Sequence, residues 1–438
     1  MICNGHAWKN EKQAHNVRRP KHGLTRESGL KLDRTPHNPT PPARLLDVTR
    51  LLRRAGRVWT GVDRVELAYL AELSAGPLPV WGLARTPFGY VLLDQDGLAG
   101  FHQRLIGSAE FSSPDMLSRL HRGMGDTARR ALTDIRKLAV ARCIPRGLPQ
   151  MLTRHLPVGT AYLNTGHSNL SERVFKAVRA VPQARISVFV HDVIPIEFPQ
   201  FQREGTVGVF EQKMRRVQQH ADLIIYNSAD TQMRTERVMS DWGPAPQGIV
   251  AHLGIVPQSP DRSALPEGLP PETPYFITVG TIEPRKNHAL LLDVWERLGP
   301  DAPMLLICGS RGWNNEAVFK RLDALGADAR VLEVSGLSDG ALSALIEGAH
   351  ALLFPSRAEG FGLPAVEALV LGTPVLCSNM ATFREILADK ANYVDDSATK
   401  LWEECIVDWS KKARITLRVR DFEAPTWVAH FKIALSFT

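Results

Sequence analysis

The chain has 438 residues, of which 44% are apolar, so it is long enough for two domains with complete hydrophobic cores. Charged residues make up 23%, and glycine and proline use is ordinary, which excludes a mostly disordered or fibrous protein. The formal net charge of +7 does not indicate nucleic-acid binding, because most of it lies in residues 1–40.

Two further features concern the cellular compartment. No apolar run approaches the length of a membrane span, and the first residues lack the apolar core of a secretory signal. The cysteines are odd in number and scattered, without a CxxC pair, which is typical of reduced thiols rather than of a disulfide framework or a zinc site. We therefore expect a cytoplasmic protein.

In chain order, the first segment is a polar and basic stretch over residues 1–40. A stretch of this composition cannot bury enough apolar surface to fold. We predict a disordered tail, which is either dispensable or a weak tether to an anionic surface.

The first domain is predicted over residues 43–257, where short apolar runs end in polar residues, as buried parallel strands do. An amphipathic helix is expected after the break at Gly61, and Ser228 is placed to cap a later helix. The predicted strands lie at residues 43–48, 185–191 and 221–227, and the first helix lies at residues 62–73.

Residues 101–158 fit this alternation poorly. An apolar stripe at helical spacing between Leu117 and Ala139 is surrounded by arginines, among them Arg129 and Arg130. One interpretation is a basic helix that lies on an anionic membrane or acceptor, which would give the protein peripheral contact with the inner face of the membrane. The other is an ordinary packed helix pair with a solvated basic face.

Two motifs of this domain resemble ligand sites, but we predict no function for them. The segment from Gly123 to Ala128 matches the G-x-G-x-x-A pattern of dinucleotide sites, yet no strand is predicted before it. Asp94 and Asp96 resemble a D-x-D metal site. They lie between two apolar runs, where the following Asp-Gly pair is typical of a hairpin turn, so we predict a turn.

A proline-rich stretch over residues 258–274 is the predicted linker. Beyond it, over residues 275–424, strands alternate regularly with helices, which predicts βαβ units and a parallel sheet. The whole pattern predicts an α/β protein with two Rossmann-like domains that face each other across a cleft. Ligands of such sheets bind at the carboxyl ends of the strands.

The first candidate site segment directly follows the first strand of the second domain. Gly280 lets the backbone turn, and Arg285 and Lys286 project from the loop at the sheet's carboxyl edge. Paired cations can neutralise a departing nucleoside diphosphate without a metal ion, arginine through its bidentate fork and lysine as a point charge. Taken alone, the segment is also compatible with an exposed basic turn.

The second candidate segment runs from Glu359 to Glu367. Two glycines, Gly360 and Gly362, precede a predicted helix over residues 363–371 and let its amides approach a ligand. The free N–H groups and positive end of that helix form an anion site. Glu359 can accept hydrogen bonds from sugar hydroxyls, and Glu367, one turn into the helix, can accept them from a ribose. The alternative is a capped helix whose glutamates only favour its N-terminus.

These two segments resemble the retaining family-four glycosyltransferases of the GT-B fold. The likeness lies in the E-x7-E element with its intervening Gly-Phe-Gly-Leu-Pro, and in the Gly-Thr-x-Glu-Pro-Arg-Lys-Asn segment. The resemblance implies that Arg285 and Lys286 hold a donor diphosphate. Glu367 would hold the ribose, and Glu359 with the amides that follow it would hold the transferred sugar. The implied donor-binding residues are Gly61, Gly280, Arg285, Lys286, Gly360, Phe361, Gly362, Leu363 and Glu367.

The resemblance extends into the first domain. The segment that contains Gly61 looks like the family's glycine loop, which faces the diphosphate from across the cleft. His191, at a strand end, looks like the family's histidine near the sugar's 6-hydroxyl and reacting carbon, with a structural role as the alternative. The last helix, within residues 425–438, would cross back to the first domain. The implied catalytic residues are His191, Arg285, Lys286 and Glu359.

Segments around residues 60–69, 163–167 and 191–199 look like a bacterial subgroup described as mannosyltransferases of surface polysaccharides. This likeness implies a nucleotide-sugar donor, GDP-mannose, and a saccharide or lipid-linked acceptor, with no metal, no other cofactor and no nucleic acid. Two other classes remain open. One is a nucleotide-sugar epimerase, and the other is a non-catalytic nucleotide-sugar-binding protein on the same fold.

Overall fold

The computed structural model describes residues 40–119, 123–326, 328–414 and 422–438. The predicted tail lies outside the described residues apart from Thr40, as do Leu120 and Arg122 of the arginine-rich region. The described residues contain two α/β sheets, one in each half of the chain.

The first domain is built on an eight-stranded sheet. Its strands are β1 (Arg44–Asp47), β2 (Val80–Thr86), β3 (Gly89–Leu93), β4 (Ala141–Cys143), β5 (Ala161–Asn164), β6 (Arg185–Val190), β7 (Leu223–Tyr226) and β8 (Gln247–Val250). Their order is β4-β3-β2-β1-β5-β6-β7-β8, and the pairs are parallel except that β3 runs antiparallel to β2 and β4. Helices cover both faces of the sheet, so successive residues of a strand are buried on opposite faces. Val188 and Phe189, for example, belong to different hydrophobic clusters.

The helices of this domain connect the strands and include several short ones. They are α1 (Thr49–Arg54), α2 (Gly61–Ala75), α3 (Gln95–Leu105), α4 (Met116–Arg119), α5 (Asp126–Lys137), α6 (Leu148–His155), α7 (Glu172–Arg179), α8 (Ile194–Glu197), α9 (Thr206–His220) and α10 (Ala229–Ser240). The predicted cap at Ser228 is confirmed, since its side chain accepts a hydrogen bond from the N–H of Thr231 in the first turn of α10.

The second domain contains a six-stranded sheet whose recorded strand pairs are all parallel. Its strands are β9 (Tyr275–Val279), β10 (Met304–Cys308), β11 (Val331–Val334), β12 (Leu352–Phe354), β13 (Val375–Ser378) and β14 (Asn392–Val394). The order is β11-β10-β9-β12-β13-β14, so the winding reverses between β9 and β12. In doubly wound sheets the ligand binds at that reversal, beyond the carboxyl ends of the two strands.

The helices of the second half follow the predicted alternation. They are α11 (His288–Leu298), α12 (Glu316–Asp323), α13 (Asp339–Gly348), α14 (Leu363–Val370), α15 (Ala381–Leu387), α16 (Thr399–Ser410) and α17 (Trp427–Ala434). The last of these packs against the first domain. The His430 ring bonds to the Tyr69 hydroxyl at 2.9 Å, and Arg44 donates to the backbone carbonyl of Thr438 at 2.9 Å.

The predicted hairpin turn at Asp94 and Asp96 is wrong. Strand β3 ends at Leu93, and Asp94 caps α3 by accepting a hydrogen bond from the N–H of Gly97 at 2.9 Å. The apolar run after the aspartates is the buried face of this helix, on which Leu98 and Phe101 are spaced three residues apart. A helical face that starts in so short a run is easily mistaken for a strand.

The arginine-rich region contains two separate helices, α4 and α5, rather than one stripe from Leu117 to Ala139. Residues 123–125, directly before α5, are not helical. Leu132 and Ile135 of α5 are fully buried in the domain core. Arg136 is also buried and pairs with Asp115 at 2.9 Å. The structure therefore has the packed-helix arrangement, and the apolar face of α5 is not available to insert into a membrane.

Among the helices of the described residues, none combines the length and the apolar character that crossing a bilayer requires.

Candidate active site

The two predicted site segments lie beside each other at the reversal of the second sheet. One loop leaves β9 and contains Gly280 and a single helical turn over Pro284–Lys286. The other leaves the neighbouring strand β12 and ends at α14. Gly280 has a φ of 137°, and a Cβ there would lie 3.2 Å from Cε of Lys286. Glycine is favoured at position 280 because side chains other than hydrogen rarely allow this positive φ and would crowd the Lys286 side chain.

The loops are joined by a buried network of ion pairs. Lys286 Nζ lies 2.5 Å from Oε1 of Glu359, and Arg285 Nη1 lies 2.8 Å from Oε2 of the same carboxylate. Arg285 Nε also pairs with Glu283 at 2.7 Å, and Ser356 donates to Glu359 at 2.8 Å. The structure thus brings together Arg285, Lys286 and Glu359, which the sequence motifs singled out separately.

Glu283 and Ser356 were not among the predicted site residues. Glu283 belongs to the Gly-Thr-x-Glu-Pro-Arg-Lys-Asn segment and lies only two residues before Arg285. Its place in that segment could have identified it as a site residue. Ser356 is part of no quoted motif. With Glu283 included, the two cations face two carboxylates, so the ligand-free network is formally neutral.

The network shifts the ionisation of its members. Burial by itself would raise the pKa of Glu359, but the charges of Arg285 and Lys286 outweigh it and lower the pKa to about 2. Burial raises the pKa of Glu283 above its ordinary value, against the opposing charge of Arg285. Glu359 is therefore an ionised acceptor at neutral pH, with both oxygens already engaged by cations.

The glycine-rich loop before α14 lies in close contact with the first domain. A Cβ on Gly360 would lie 2.2 Å from the carbonyl oxygen of His191, so no larger residue fits there. Gly362 has a φ of 92° and directly precedes α14. Phe361 is buried with its ring centroid 6.2 Å from that of His252. These contacts hold the start of α14 against the end of β6.

Gly61 lies at the same junction. It is the first residue of α2, and a Cβ there would lie 2.9 Å from Cδ1 of Leu363, the first residue of α14. The glycine loop and the predicted donor helix therefore meet end to end. Helix N-termini carry partial positive charge and unpaired N–H groups, so an anion at this junction would be attracted by both helices.

His191 lies at the end of β6 with its ring buried. Its Nε2 lies 2.6 Å from the carbonyl oxygen of Thr165, which can only accept, so Nε2 carries the hydrogen. Burial lowers the pKa of His191 to about 4, although the Thr165 carbonyl opposes the shift. At neutral pH the ring is uncharged, and Nδ1 is a hydrogen-bond acceptor rather than a proton donor.

Glu367 faces an arginine from the other domain. Arg64 of α2 pairs with Glu367 at 3.2 Å and with Asp339 at 2.7 Å, so it bridges α13 and α14. Burial raises the pKa of Glu367, and the charge of Arg64 opposes that shift. The sequence motif contained Arg64 without a role for it. Its pairing links elements 303 residues apart, which no local pattern indicates.

The described part of the chain contains no cluster of three or more His, Cys, Asp or Glu side chains that could bind a metal ion.

Parts of the chain are similar to known proteins. Residues 262–412 match the family model described as "Glycosyl transferases group 1". The serotype-specific mannosyltransferase WbdA of Escherichia coli is 30% identical over 236 residues, which cover 50% of this chain and 29% of WbdA. The O-antigen chain mannosyltransferase RfbU of Salmonella typhimurium is 27% identical over 225 residues, which cover 50% of this chain and 59% of RfbU.

A solved structure, Anabaena Alr3699/HepE in complex with UDP and glucose, has the same fold with a TM-score of 0.54. It is 14% identical and covers 89% of this chain and 95% of its own. The chain therefore has the GT-B fold, and its second half is similar to the group 1 glycosyltransferases. The matched segment spans 29% of the length of WbdA and 59% of the length of RfbU, so each relative contains further sequence that this match does not cover.

Proposed function

We propose that this glycosyltransferase moves mannose from GDP-mannose to a saccharide or lipid-linked acceptor in bacterial surface polysaccharide synthesis, with retention at the anomeric carbon and without a metal ion. The observation that carries the proposal is the network of Arg285, Lys286 and Glu359 at the sheet reversal. The choice of mannose is supported by the similarity to WbdA and RfbU, both of which are named mannosyltransferases.

The leaving group is stabilised by charge. As the bond between the sugar's C1 and the β-phosphate oxygen breaks, negative charge grows on the nucleoside diphosphate. Lys286 is buried and Arg285 is half-buried, and ion pairs already position both, so they stabilise this charge with little reorganisation. The N-terminus of α14 adds N–H donors at the same place.

Binding of the donor changes the partners of Glu359. A diphosphate that takes the donors of Arg285 and Lys286 releases the Glu359 carboxylate, which then accepts hydrogen bonds from hydroxyls of the transferred sugar. Neutral His191 accepts from the sugar's 6-hydroxyl through Nδ1. The acceptor oxygen bonds to C1 on the face that the diphosphate leaves, and its proton passes to the departing phosphate oxygen.

The proposal is tested by calorimetry with GDP, UDP and ADP and their hexose conjugates, followed by product analysis with and without acceptor saccharides. Tight binding of GDP-mannose and mannosylated product that keeps its anomeric configuration support it. An epimerase would convert the donor without acceptor, and a binding protein would leave it unchanged. Either result contradicts the proposed transfer.

Donor turnover should survive chelation of metal ions. Arg285 and Lys286 occupy the position at which a divalent cation would neutralise the diphosphate, so no ion is needed there. We expect the initial rate in excess EDTA to equal the rate without it. Loss of activity in EDTA with recovery on addition of manganese would contradict the assignment of the two cations.

Glu367→Gln should raise the donor KM about tenfold and leave kcat nearly unchanged, because a ribose contact is equally strong in ground and transition states. Asp339→Asn is a matched control, since it also removes one carboxylate partner of Arg64 but lies outside the ribose position. Titration with free GDP checks the assignment. Equal GDP affinity of the Glu367 variant and the wild type would show that the ribose lies elsewhere.

A further inference from the structure

A basic cavity lies in the first domain, outside the donor site. Its volume is about 650 Å³, and its walls come from α1 and the turn after it, the loop after β5, α9 and the segment that leads into α5. The cations among its lining residues are Arg50, Arg53, Arg54, Arg57 and Lys213.

The charge of this cavity is only partly compensated. Asp63 pairs with Arg50 at 2.7 Å and with Arg54 at 3.1 Å. By contrast, Arg53, Arg57 and Lys213 form no ion pair with any carboxylate of the described residues. Burial lowers the pKa of Lys213, and the charges of Arg53 and Arg50 lower it further, which shows that cations crowd one another here. The cavity therefore has an excess of positive charge that an anion would relieve.

The cavity shares a wall with the proposed reaction site. The backbone carbonyl of Thr165 holds the His191 ring, and the next residues, Gly166 and His167, line the cavity. The His167 and His191 rings are 5.1 Å apart between centroids. One lining residue of the cavity, His167, is thus in ring contact with His191.

The segment before α5 completes the cavity. Gly123, Gly125 and Ala128 line it, and a Cβ on either glycine would meet open space. These are residues of the G-x-G-x-x-A match in the sequence, which follows α4 rather than a strand, so the dinucleotide interpretation remains excluded. What the segment contributes here is the positive end of a twelve-residue helix, added to the charges of the side chains.

We propose that this cavity binds a phosphate or diphosphate group of the acceptor, and so holds the acceptor with its reacting end towards His191. The inference rests on the proposed function, because it assigns the second substrate of the same reaction. Two sources supply this chemistry, a lipid-linked diphosphate and a soluble sugar phosphate. Arginines and lysines that lack a carboxylate partner are suited to either.

The test compares the wild type with Arg53→Ser/Arg57→Ser. Both arginines are exposed and have no ion pair within the described residues, so the fold should not depend on them. Arg146→Ser is the matched control, because Arg146 is an exposed arginine of the same domain that does not line the cavity. Thermal unfolding of all three proteins checks that the substitutions leave stability unchanged.

Calorimetry uses farnesyl diphosphate, mannose 1-phosphate and, as an uncharged reference, methyl α-mannoside. Saturating nucleoside diphosphate is present throughout so that Arg285 and Lys286 are occupied. We expect the wild type and Arg146→Ser to bind a phosphate-bearing probe equally well, and the double variant to bind it roughly tenfold or more weakly. Added salt should weaken binding to the wild type more than to the double variant.

Binding of farnesyl diphosphate alone supports the proposal with a lipid-linked acceptor, and binding of mannose 1-phosphate supports it with a soluble one. The proposal is overturned if the wild type binds neither probe, if the double variant binds as tightly as the wild type, or if Arg146→Ser loses as much affinity. Failure of the proposed function has a different signature. No nucleotide sugar would then be bound or turned over, whereas the phosphate probes would still distinguish the variants.

Discussion

Arg285→Ala should lower kcat/KM for donor turnover by a factor on the order of 10² or more, and Lys286→Ala should do the same. Each substitution removes a fixed positive charge from the place where the departing diphosphate gains negative charge. The effect should appear mainly in kcat, since this charge is greater in the transition state than in the ground state. Steady-state kinetics with a saturating acceptor measure it.

Loss of stability must be separated from loss of catalysis in these variants. Removal of Arg285 leaves Glu283 and Glu359 with fewer partners, and an uncompensated buried charge costs about 3–5 kcal/mol in folding free energy. Rates are therefore measured well below the unfolding temperature of each variant. Arg321→Ala is the control, because Arg321 also pairs with two carboxylates of the same domain, Asp293 and Glu296. If Arg285→Ala retains the activity of Arg321→Ala, the leaving-group role is wrong.

Glu359→Gln should separate nucleotide binding from transfer. In the ligand-free protein the Glu359 carboxylate pairs with Arg285 and Lys286, so its removal frees Lys286 and Nη1 of Arg285 for a diphosphate, while Arg285 Nε stays paired with Glu283. We expect free nucleoside diphosphate to bind the variant at least as tightly as the wild type. Transfer should nevertheless fall by about 10², because the sugar loses an ionised hydrogen-bond acceptor. Glu333→Gln, which removes one of the two carboxylate partners of Arg311, should change neither quantity.

Acid stability provides a second measurement on the same variant. The pKa of Glu359 is about 2, against an ordinary 4.5, so its ionised form stabilises the fold at pH values above 4.5. That contribution is lost as the pH falls from 4.5 towards 2, since the unfolded state takes up the proton first. The wild-type Tm should therefore fall more between pH 5 and pH 3 than the Tm of Glu359→Gln. Parallel curves for the two proteins would show that the buried ion pairs do not contribute as described.

The alternation of strands and helices in the second half was predictable because its signals are local. The predicted strand at residues 304–308 matches β10, and the predicted helix over residues 363–371 extends only one residue beyond α14. A buried parallel strand is a short apolar run, and a helix start shows its glycine, proline or capping residue directly in the sequence. The same local reasoning failed at Asp94, where the apolar face of a helix resembled a strand.

The residue types of the proposed donor site could also be predicted from the sequence, because a diphosphate needs cations and sugar hydroxyls need acceptors. Arg285, Lys286 and Glu359 were each singled out by these requirements. Their direct pairing was not foreseen. This pairing forms because β9 lies next to β12 in the sheet. Strand order is a property of the whole sheet and cannot be predicted from any single segment of the sequence.

The sequence by itself therefore determined the two α/β sheets and the side-chain chemistry available to the proposed donor site. Only the tertiary structure decided that Arg64 pairs with Glu367, that the carbonyl of His191 packs against Gly360, and that a basic cavity opens beside His191. Periodicity and capping act over a few neighbouring residues and leave a pattern in the sequence. Contacts between segments hundreds of residues apart depend on how the sheets and helices pack, so the charges of α1 and α9 become one surface only in the folded chain.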